Sequence, residues 1–255
     1  MRAVAVMMAV WCLGGAATVR AQSGDERSDS NPTRPILFSL RPEFSHVAED
    51  VWRMQVVVRY DRAAMRSRRW FGGKRGVLTR FELPVSAAAA GGSSTEYGLG
   101  DAYGQVLTVP KLSPRFAYVV GTGLSIPTAT HALLGTGKWT IAPAFAPIWF
   151  LRGRGMTYVK VQNFSSFAGD GSRADLNFLL VTPTLIRTVG NSAWVLADTE
   201  TKTDWERDGL TDVKSGLQVG WVVARGVGLW VKPEVWWGAH AGGRWNVKTG
   251  FVWYR

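Results

Sequence analysis

Cysteine and long apolar runs are scarce in this chain, and each shortage excludes a class of protein. Cys12 is the only cysteine among 255 residues. It falls in a segment that we expect to be removed, so the remaining chain is predicted to have no disulfide, thiolate metal site or cysteine nucleophile. Beyond residue 21, no apolar run approaches the roughly 18 residues that a membrane-spanning helix needs. The sequence therefore predicts no helical span, no cofactor and no metal site.

The N-terminus has the pattern of an export signal. A basic start at Met1-Arg2 precedes an apolar run from Ala3 to Val19, and a small-x-Ala site ends at Ala21. We predict a secretory signal peptide over residues 1–21 and a flexible polar leader over 22–35. A membrane-anchoring helix is the alternative, but Gly14-Gly15 interrupts the run and no stop-transfer pattern follows it.

The chain is basic, with a formal net charge of +11 that falls to +9 once Arg2 and Arg20 are removed. Its basic residues are scattered along the sequence instead of being clustered in an arm or on one helix. This distribution argues against a nucleic-acid partner. In an exported protein, such charges more readily line an interior or face acidic lipid headgroups and anionic solutes.

Alternation with a period of two dominates the last forty-odd residues, and it extends back through most of the chain. Between residues 213 and 223, for example, Val213, Leu217 and Trp221 share one side, while Lys214 and Gln218 share the other. Successive side chains of a strand point to opposite faces, so each such segment predicts a strand with one apolar and one polar face. Strands of about ten residues with aromatic ends are typical of transmembrane β-barrels.

Twelve strands are predicted, and residues 36–255 are assigned to one antiparallel transmembrane barrel; ten strands is the alternative count. The first strand is the weakest prediction because Pro42 interrupts it. The predicted spans are 36–46, 51–60, 74–86, 101–112, 115–126, 138–150, 156–167, 174–188, 191–201, 212–224, 226–238 and 243–254.

Short and long connections alternate between these strands. Outer-membrane barrels have short periplasmic turns and long external loops, so the short joins near 111–114, 152–155, 189–191 and 224–226 are predicted to be periplasmic. The longer joins 87–100, 127–137, 168–173, 202–211 and 239–242 are then external. The basic segment 61–73 is an exception, because it is long and yet periplasmic by this count.

Charged and amide side chains on the polar faces are the candidate functional residues. An Arg or Lys that faces lipid at the bilayer midplane costs about 2–4 kcal/mol, so these side chains are expected to point into the lumen. They define either a selective path for a solute or a salt-bridged plug that passes nothing, and the sequence leaves both open. The predicted lumen residues are Arg53, Arg59, Arg80, Glu82, Lys160, Gln162, Arg187, Asp198, Glu200, Lys214, Lys232, Glu234 and Lys248.

One part of this set predicts a selectivity. Arg53, Arg59 and Arg80 lie on neighbouring predicted strands, with Glu82 as the acid near them. Three cations facing one anion predict an incompletely paired cationic wall, unless Asp198 or Glu200 reaches across from the far side. Such a wall inside a low-dielectric barrel favours anionic solutes, including carboxylated aromatics.

Catalysis has little support. The histidines His46, His131 and His240 fall near predicted loops, and the sequence places no serine beside any of them. Hydrolysis by a serine nucleophile needs a base within hydrogen-bonding reach, which only the fold can establish. We therefore predict that the chain is not an enzyme, and a lipid-acting barrel hydrolase is the less favoured alternative.

Three motifs occur in an order that resembles a known family. They are Tyr97-Gly98-Leu99-Gly100-Asp101, then Gly121-Thr122-Gly123-Leu124-Ser125-Ile126-Pro127-Thr128, then Leu134-Gly135-Thr136-Gly137-Lys138-Trp139 followed by Pro143. Together they look like the outer-membrane family labelled "MetA-pathway of phenol degradation", a group of transport barrels. The resemblance covers the chain from about Gly98 to the C-terminus, and more weakly upstream.

The resemblance implies an outer-membrane channel, with aromatic or other hydrophobic compounds as its solutes, and it brings no catalytic residues. The expected partners are outer-membrane lipid, a small-molecule solute and the barrel-assembly machinery. Barrels of this kind usually end on an aromatic residue, whereas this chain ends Trp253-Tyr254-Arg255. A structural barrel with a closed, charge-filled lumen is the alternative function.

Overall fold

The computed structural model describes residues 37–48, 51–64, 76–90, 94–238 and 244–254, which form a closed antiparallel β-barrel of twelve strands. The predicted signal peptide, the leader and most of segment 61–73 lie outside the described residues. The strands are β1 Phe38–Ala48, β2 Val51–Ala64, β3 Val77–Ala90, β4 Glu96–Leu99, β5 Ala102–Leu112, β6 Phe116–Ile126, β7 Lys138–Leu151, β8 Gly155–Gly169, β9 Asn177–Val189, β10 Ala193–Asp204, β11 Leu210–Ala224, β12 Val227–Trp237 and β13 Trp245–Trp253.

Two of these strands are one barrel strand with an interruption. The short β4 and the longer β5 both pair with β3, and Gly100-Asp101 separates them. Every other strand pairs with its neighbours in the sequence, and β1 pairs with β13 to close the barrel. The predicted count of twelve is therefore confirmed. β1 also runs through Pro42, which pairs with Val56 of β2.

The connections divide the barrel into two ends. We call one the short-turn end, where turns 113–115, 152–154, 190–192 and 225–226 lie, and the other the long-loop end, where 127–137, 170–176 and 205–209 lie. In one tight turn, Gly153 and Arg154 both have positive φ, 76° and 65°. Such left-handed backbone is what a tight hairpin turn requires. Within the described residues, no helix is long and apolar enough to cross a membrane.

The outer wall of the barrel is apolar, as the alternation predicts. Phe81, Leu217 and Trp237 are 46%, 51% and 57% exposed on this wall. Their strand neighbours Glu82, Gln218 and Trp236 point to the interior, because side chains alternate across the sheet. Exposed apolar side chains on every side of a closed barrel are the pattern of a wall that faces lipid hydrocarbon.

The interior at the short-turn end is filled by apolar side chains, which we call the apolar layer. Its members are Leu78, Leu107, Ala117, Val119, Ala146, Ile148, Met156, Tyr158, Ile186, Leu196, Trp194, Trp230 and Val252. Trp194 lies against Gly220 of the next strand, and Trp230 lies against Gly250 in the same way. Burying each large side chain contributes about 1.5–3 kcal/mol. The layer therefore stabilises the barrel and fills its interior toward the short-turn end.

Candidate functional site

Above the apolar layer, the interior contains a polar cavity of about 440 Å³. Strands from both sides of the barrel contribute to its wall, because inward positions recur at every second residue. Eleven of the thirteen predicted lumen residues line it: Arg59, Arg80, Glu82, Lys160, Gln162, Asp198, Glu200, Lys214, Lys232, Glu234 and Lys248. Strand alternation thus collects residues as far apart in the sequence as Arg59 and Lys248 into one site.

The other two predicted residues lie elsewhere. Arg187 is exposed on the outer wall, on the same face as Leu185, while Ile186 points inward and is fully buried. The inward assignment of Arg187 was wrong. In β9 the even-numbered residues 182, 184 and 186 point inward, so residue 187 points outward. Its guanidinium donates to the Arg152 carbonyl at the short-turn rim, where a long cationic side chain can reach water. Arg53 lies at the long-loop end and does not line the cavity.

Acidic residues that the sequence interpretation missed pair the arginines of the cavity. Asp61 is 1% exposed and accepts two hydrogen bonds from Arg59, at 2.9 and 2.6 Å. The same carboxylate accepts from Arg80 Nε at 3.2 Å, and Glu43 pairs with Arg41. The predicted excess of three cations over one anion on this side was therefore wrong. The alternation along β1 and β2 could have predicted both acids. Glu43 shares the inward face of β1 with Arg41, and Asp61 shares the inward face of β2 with Arg59.

A second ionic cluster surrounds Glu234 on β11 to β13, which continue the wall from β1. Its carboxylate lies 2.9 Å from Lys232 Nζ, 2.9 Å from Lys248 Nζ and 3.8 Å from Lys214 Nζ. Asn246 also donates to it at 3.0 Å. Lys214 also pairs with Glu200 of the neighbouring β10 at 3.0 Å, and Lys232 pairs with Asp198 of β10, across β11, at 2.6 Å. These contacts hold most of the cavity's charges in fixed positions.

Aromatic rings lie among the charges toward the long-loop end. Tyr103, Phe164 and Phe178 form a row in which Phe164 stacks on Phe178, with ring centroids 4.9 Å apart. The Lys202 ammonium lies 4.4 Å above the Phe178 ring. On the other side, Lys214 and Arg244 approach the ring of Trp236 within 5.2 and 5.5 Å. Cations over aromatic faces contribute about 0.5–2 kcal/mol each, so these contacts help to hold the aromatic rings in position.

Residues 127–137, which we call the cap, fold over the long-loop end. Thr130 exchanges hydrogen bonds with Leu99, donating from its backbone N and accepting at its side-chain oxygen, both at 3.1 Å. Asp101 accepts from the backbone N of Thr136 at 2.6 Å and from its hydroxyl at 2.8 Å. The cap thereby fills the edge of β4 beyond the end of β6. Thr128, at the end of the second motif, accepts from the Ala102 backbone N and donates to the Gly100 carbonyl, both at 2.9 Å, so residues of all three family-like motifs meet here.

The cap also contacts elements across the mouth of the barrel. Arg53 of β2 donates to the Leu133 carbonyl at 2.9 Å, and Arg173 donates to the Ala132 carbonyl at 2.7 Å. Beside it, Lys138 donates to Asp175 at 2.8 Å, and this hydrogen bond lowers the pKa of the Asp175 carboxyl. The cap, which was predicted as an external loop, is hydrogen-bonded to β2, to the junction of β4 and β5, and to the loop between β8 and β9.

The described histidines make contacts other than those of a serine hydrolase. His46 stacks on Trp245, and His131 Nε2 lies 3.6 Å from Glu96. His240 lies outside the described residues. Among the described residues, no group of three His, Cys, Asp or Glu side chains is arranged to hold a metal ion.

Comparisons with known proteins show the fold class. No protein-family model matches the chain, and no curated protein matches it in sequence. The COG4313 outer-membrane channel from Pseudomonas putida F1 has a TM-score of 0.69 at 12% identity, over 91% of this chain and 99% of the channel. The NanC porin has a TM-score of 0.56 at 6% identity, over 86% of this chain and 100% of the porin.

An enzyme shares the same architecture. The outer membrane phospholipase A from Escherichia coli has a TM-score of 0.51 at 9% identity, over 91% of this chain and 98% of the enzyme. Likeness at these identities shows that the chain has the fold of bacterial outer-membrane barrels. Because channels and an enzyme share that fold, function has to be argued from the interior of this barrel.

Proposed function

We propose that the chain is an outer-membrane channel for small anionic solutes, including carboxylated aromatic compounds. The observation that carries the proposal is the 440 Å³ polar cavity enclosed by a closed barrel with an apolar outer wall. Membership in the "MetA-pathway of phenol degradation" family is part of the proposal, and the convergence of its three motifs on the cap supports it. The channels among the structurally similar proteins are consistent with this function.

The charge of the cavity supports an anionic solute. Counting Glu43 and Asp61, which pair with its lining arginines, the described cavity has seven basic and six acidic side chains. A net positive interior surrounded by hydrocarbon attracts anions, because its field is weakly screened. The basic residues are Arg41, Arg59, Arg80, Lys160, Lys214, Lys232 and Lys248, and the remaining acids are Glu82, Asp198, Glu200 and Glu234.

The alternative is a structural barrel with a closed, charge-filled lumen, and two observations favour it. Most of the cavity's charges are ion-paired, and the apolar layer fills the described interior toward the short-turn end. A channel therefore requires the layer to part during passage, whereas a structural barrel requires it to stay closed. The two functions differ in one measurable property, which is solute flux across a membrane.

Swelling of proteoliposomes tests the proposal. The purified full-length protein is reconstituted, and vesicles that also contain valinomycin, which lets potassium follow the anion, are diluted into isotonic potassium benzoate or isotonic arginine hydrochloride. The channel predicts faster swelling in benzoate than in protein-free vesicles, and little swelling in arginine. Equal swelling with and without folded protein in both solutes would support the closed barrel.

Fractionation of cells tests the location, since recovery in the soluble periplasmic fraction would contradict an outer-membrane protein.

A further inference from the structure

Lys160 differs from the other basic side chains of the cavity. Within the part of the chain that the structure describes, no carboxylate lies within ion-pairing distance of its ammonium and no hydrogen bond to it is formed. The other lining cations each pair with an acid: Arg41 with Glu43, Arg59 and Arg80 with Asp61, Lys214 with Glu200, Lys232 with Asp198 and Lys248 with Glu234. Lys160 therefore presents its charge to the cavity.

Hydrogen-bond donors lie on the same inward face. Gln162, two residues further along β8, donates from Nε2 to the Tyr103 hydroxyl at 2.8 Å. Because that hydroxyl oxygen accepts, its own proton remains to be donated, and none of the described acceptors receives it. Tyr103 lies flat over Gly123, where a Cβ would be 2.0 Å from its oxygen. Because Gly123 has no side chain, the Tyr103 ring lies directly against β6, and its hydroxyl is at the edge of this part of the wall.

An aromatic surface adjoins these polar groups. Phe164 follows Gln162 on the inward face of β8, and its ring is 6.4 Å from the Tyr103 ring and 4.9 Å from the Phe178 ring. Ammonium and hydroxyl donors suit a carboxylate, and offset aromatic contacts suit a planar ring. The cavity volume also falls within the range of small-molecule sites, about 300–1,000 Å³.

We propose that Lys160, Tyr103 and Phe164 form a binding subsite for small aromatic carboxylates. Lys160 holds the carboxylate by charge, Tyr103 donates a hydrogen bond to it, and Phe164 contacts the ring. The subsite rests on the proposed function, because it names the solute class of the same cavity. The paired arginines and lysines hold the wall in position and leave Lys160 as the group that meets the solute.

Calorimetric titration of the detergent-solubilised full-length protein tests the subsite separately from transport. Sodium benzoate is the probe, and benzyl alcohol is the neutral analogue. The variants are Lys160→Met, which removes the charge without breaking a described ion pair, and Phe164→Leu, which removes the ring. Arg187→Gln is the matched control, because it removes a cation of the same barrel that faces outward. Heat-dependent gel mobility verifies that each variant is folded.

The subsite predicts that benzoate binds the unaltered protein more tightly than benzyl alcohol does. Lys160→Met should weaken benzoate binding about tenfold or more, the usual effect of losing a charged hydrogen bond, and Phe164→Leu should weaken it less. Arg187→Gln should bind as the unaltered protein does. Benzoate that fails to bind, or that binds Lys160→Met unchanged, would overturn the subsite. Solute flux with unchanged binding in Lys160→Met would retain the channel and reject the subsite alone.

Discussion

Arg59 and Arg80 illustrate how the charge of an interior residue depends on its neighbours. Both arginines donate hydrogen bonds to Asp61, which is 1% exposed and faces the interior from β2. An arginine held by a buried carboxylate contributes little net field to the cavity, whereas the charge of a lysine with no carboxylate in ion-pairing distance is less compensated. Lys160 is therefore a better candidate for solute contact than either arginine, although all three have the same inward parity.

Glu234 is the residue whose loss should most disturb the cavity. Glu234→Gln would leave the ammonium groups of Lys232 and Lys248 without the carboxylate that lies 2.9 Å from each. Breaking a buried ion pair by removing one partner leaves an uncompensated charge, so we expect a loss of about 3 kcal/mol in the free energy of unfolding. Urea unfolding in detergent, followed by tryptophan fluorescence, measures it.

Glu206→Gln serves as the control for this change. Glu206 is an exposed residue of the short helical turn Trp205–Arg207, at the tip of the β10–β11 hairpin. Its replacement should change stability by less than about 0.5 kcal/mol, as surface substitutions usually do. If the two variants unfold at the same urea concentration, the lysine cluster is not held by Glu234.

Sequence parity predicted the face of most interior residues and failed at two kinds of position. At Arg187, the sequence Leu185-Ile186-Arg187 gave no strong alternation, and the structure points Ile186 inward. At Glu43 and Asp61, the predicted first strand was the weakest and the second ended at residue 60, although β2 extends to Ala64. Pairing partners depend on strand register, which a single sequence with no marked turn residues does not specify.

At the scale of elements, the cap depends on close approach to a glycine. A Cβ at Gly98 would be 1.9 Å from Thr130 Oγ1, so Gly98→Ala should displace the cap from β4. Leu134, which is 3% exposed, then becomes accessible. We expect maleimide to label Leu134→Cys about tenfold faster when Gly98→Ala is also present, because local opening exposes the thiol.

Gly104→Ala is the control for the cap, since a Cβ at Gly104 meets nothing within 4 Å. It should leave the labelling rate of Leu134→Cys unchanged, although it adds the same methyl group to β5, which follows β4 in the same barrel strand. Equal acceleration by both substitutions would mean that strand flexibility, and not contact with the cap, controls access to Leu134.

The orientation of the elements in the membrane is a prediction from connection lengths. The turn after Asp208 lies at the long-loop end, and the turn 152–154 lies at the short-turn end. An epitope inserted after Asp208 should bind antibody on intact cells, and loop tips tolerate such insertions. An epitope between Arg152 and Gly155 should bind only after the outer membrane is opened. The reverse pattern would place the long loops in the periplasm.

The strands and their connections were largely predictable from the sequence, because polar and apolar residues alternate within each strand. The turns 113–115, 152–154, 190–192 and 225–226 agree with the predicted short joins, and the cap boundaries 127–137 are those of the predicted loop. The inward fold of the cap was not predicted. It depends on hydrogen bonds that Asp101 accepts and that Arg53 and Arg173 donate, whose partners lie up to 80 residues away and leave no local pattern.

At the scale of the molecule, the charged cavity lies between the apolar layer toward the short-turn end and the cap at the long-loop end. Trp194 and Trp230 are the bulkiest side chains of the apolar layer. Replacing both with alanine should open that end and raise ion conductance severalfold, at a cost of about 3–5 kcal/mol of stability per tryptophan. Trp221→Ala, on the outer wall, should leave conductance unchanged. Bilayer recordings of the two variants measure the difference.

The reversal potential of the purified protein in planar bilayers, across a gradient of potassium chloride, tests the central claim most directly. An anion channel with its unpaired charge at Lys160 predicts discrete openings, a reversal potential on the anion-selective side, and a shift toward zero in Lys160→Met. Added benzoate should reduce the current in the unaltered protein more than in that variant. Membranes that contain folded, heat-modifiable protein and yet show no openings, or openings selective for cations, would contradict the account.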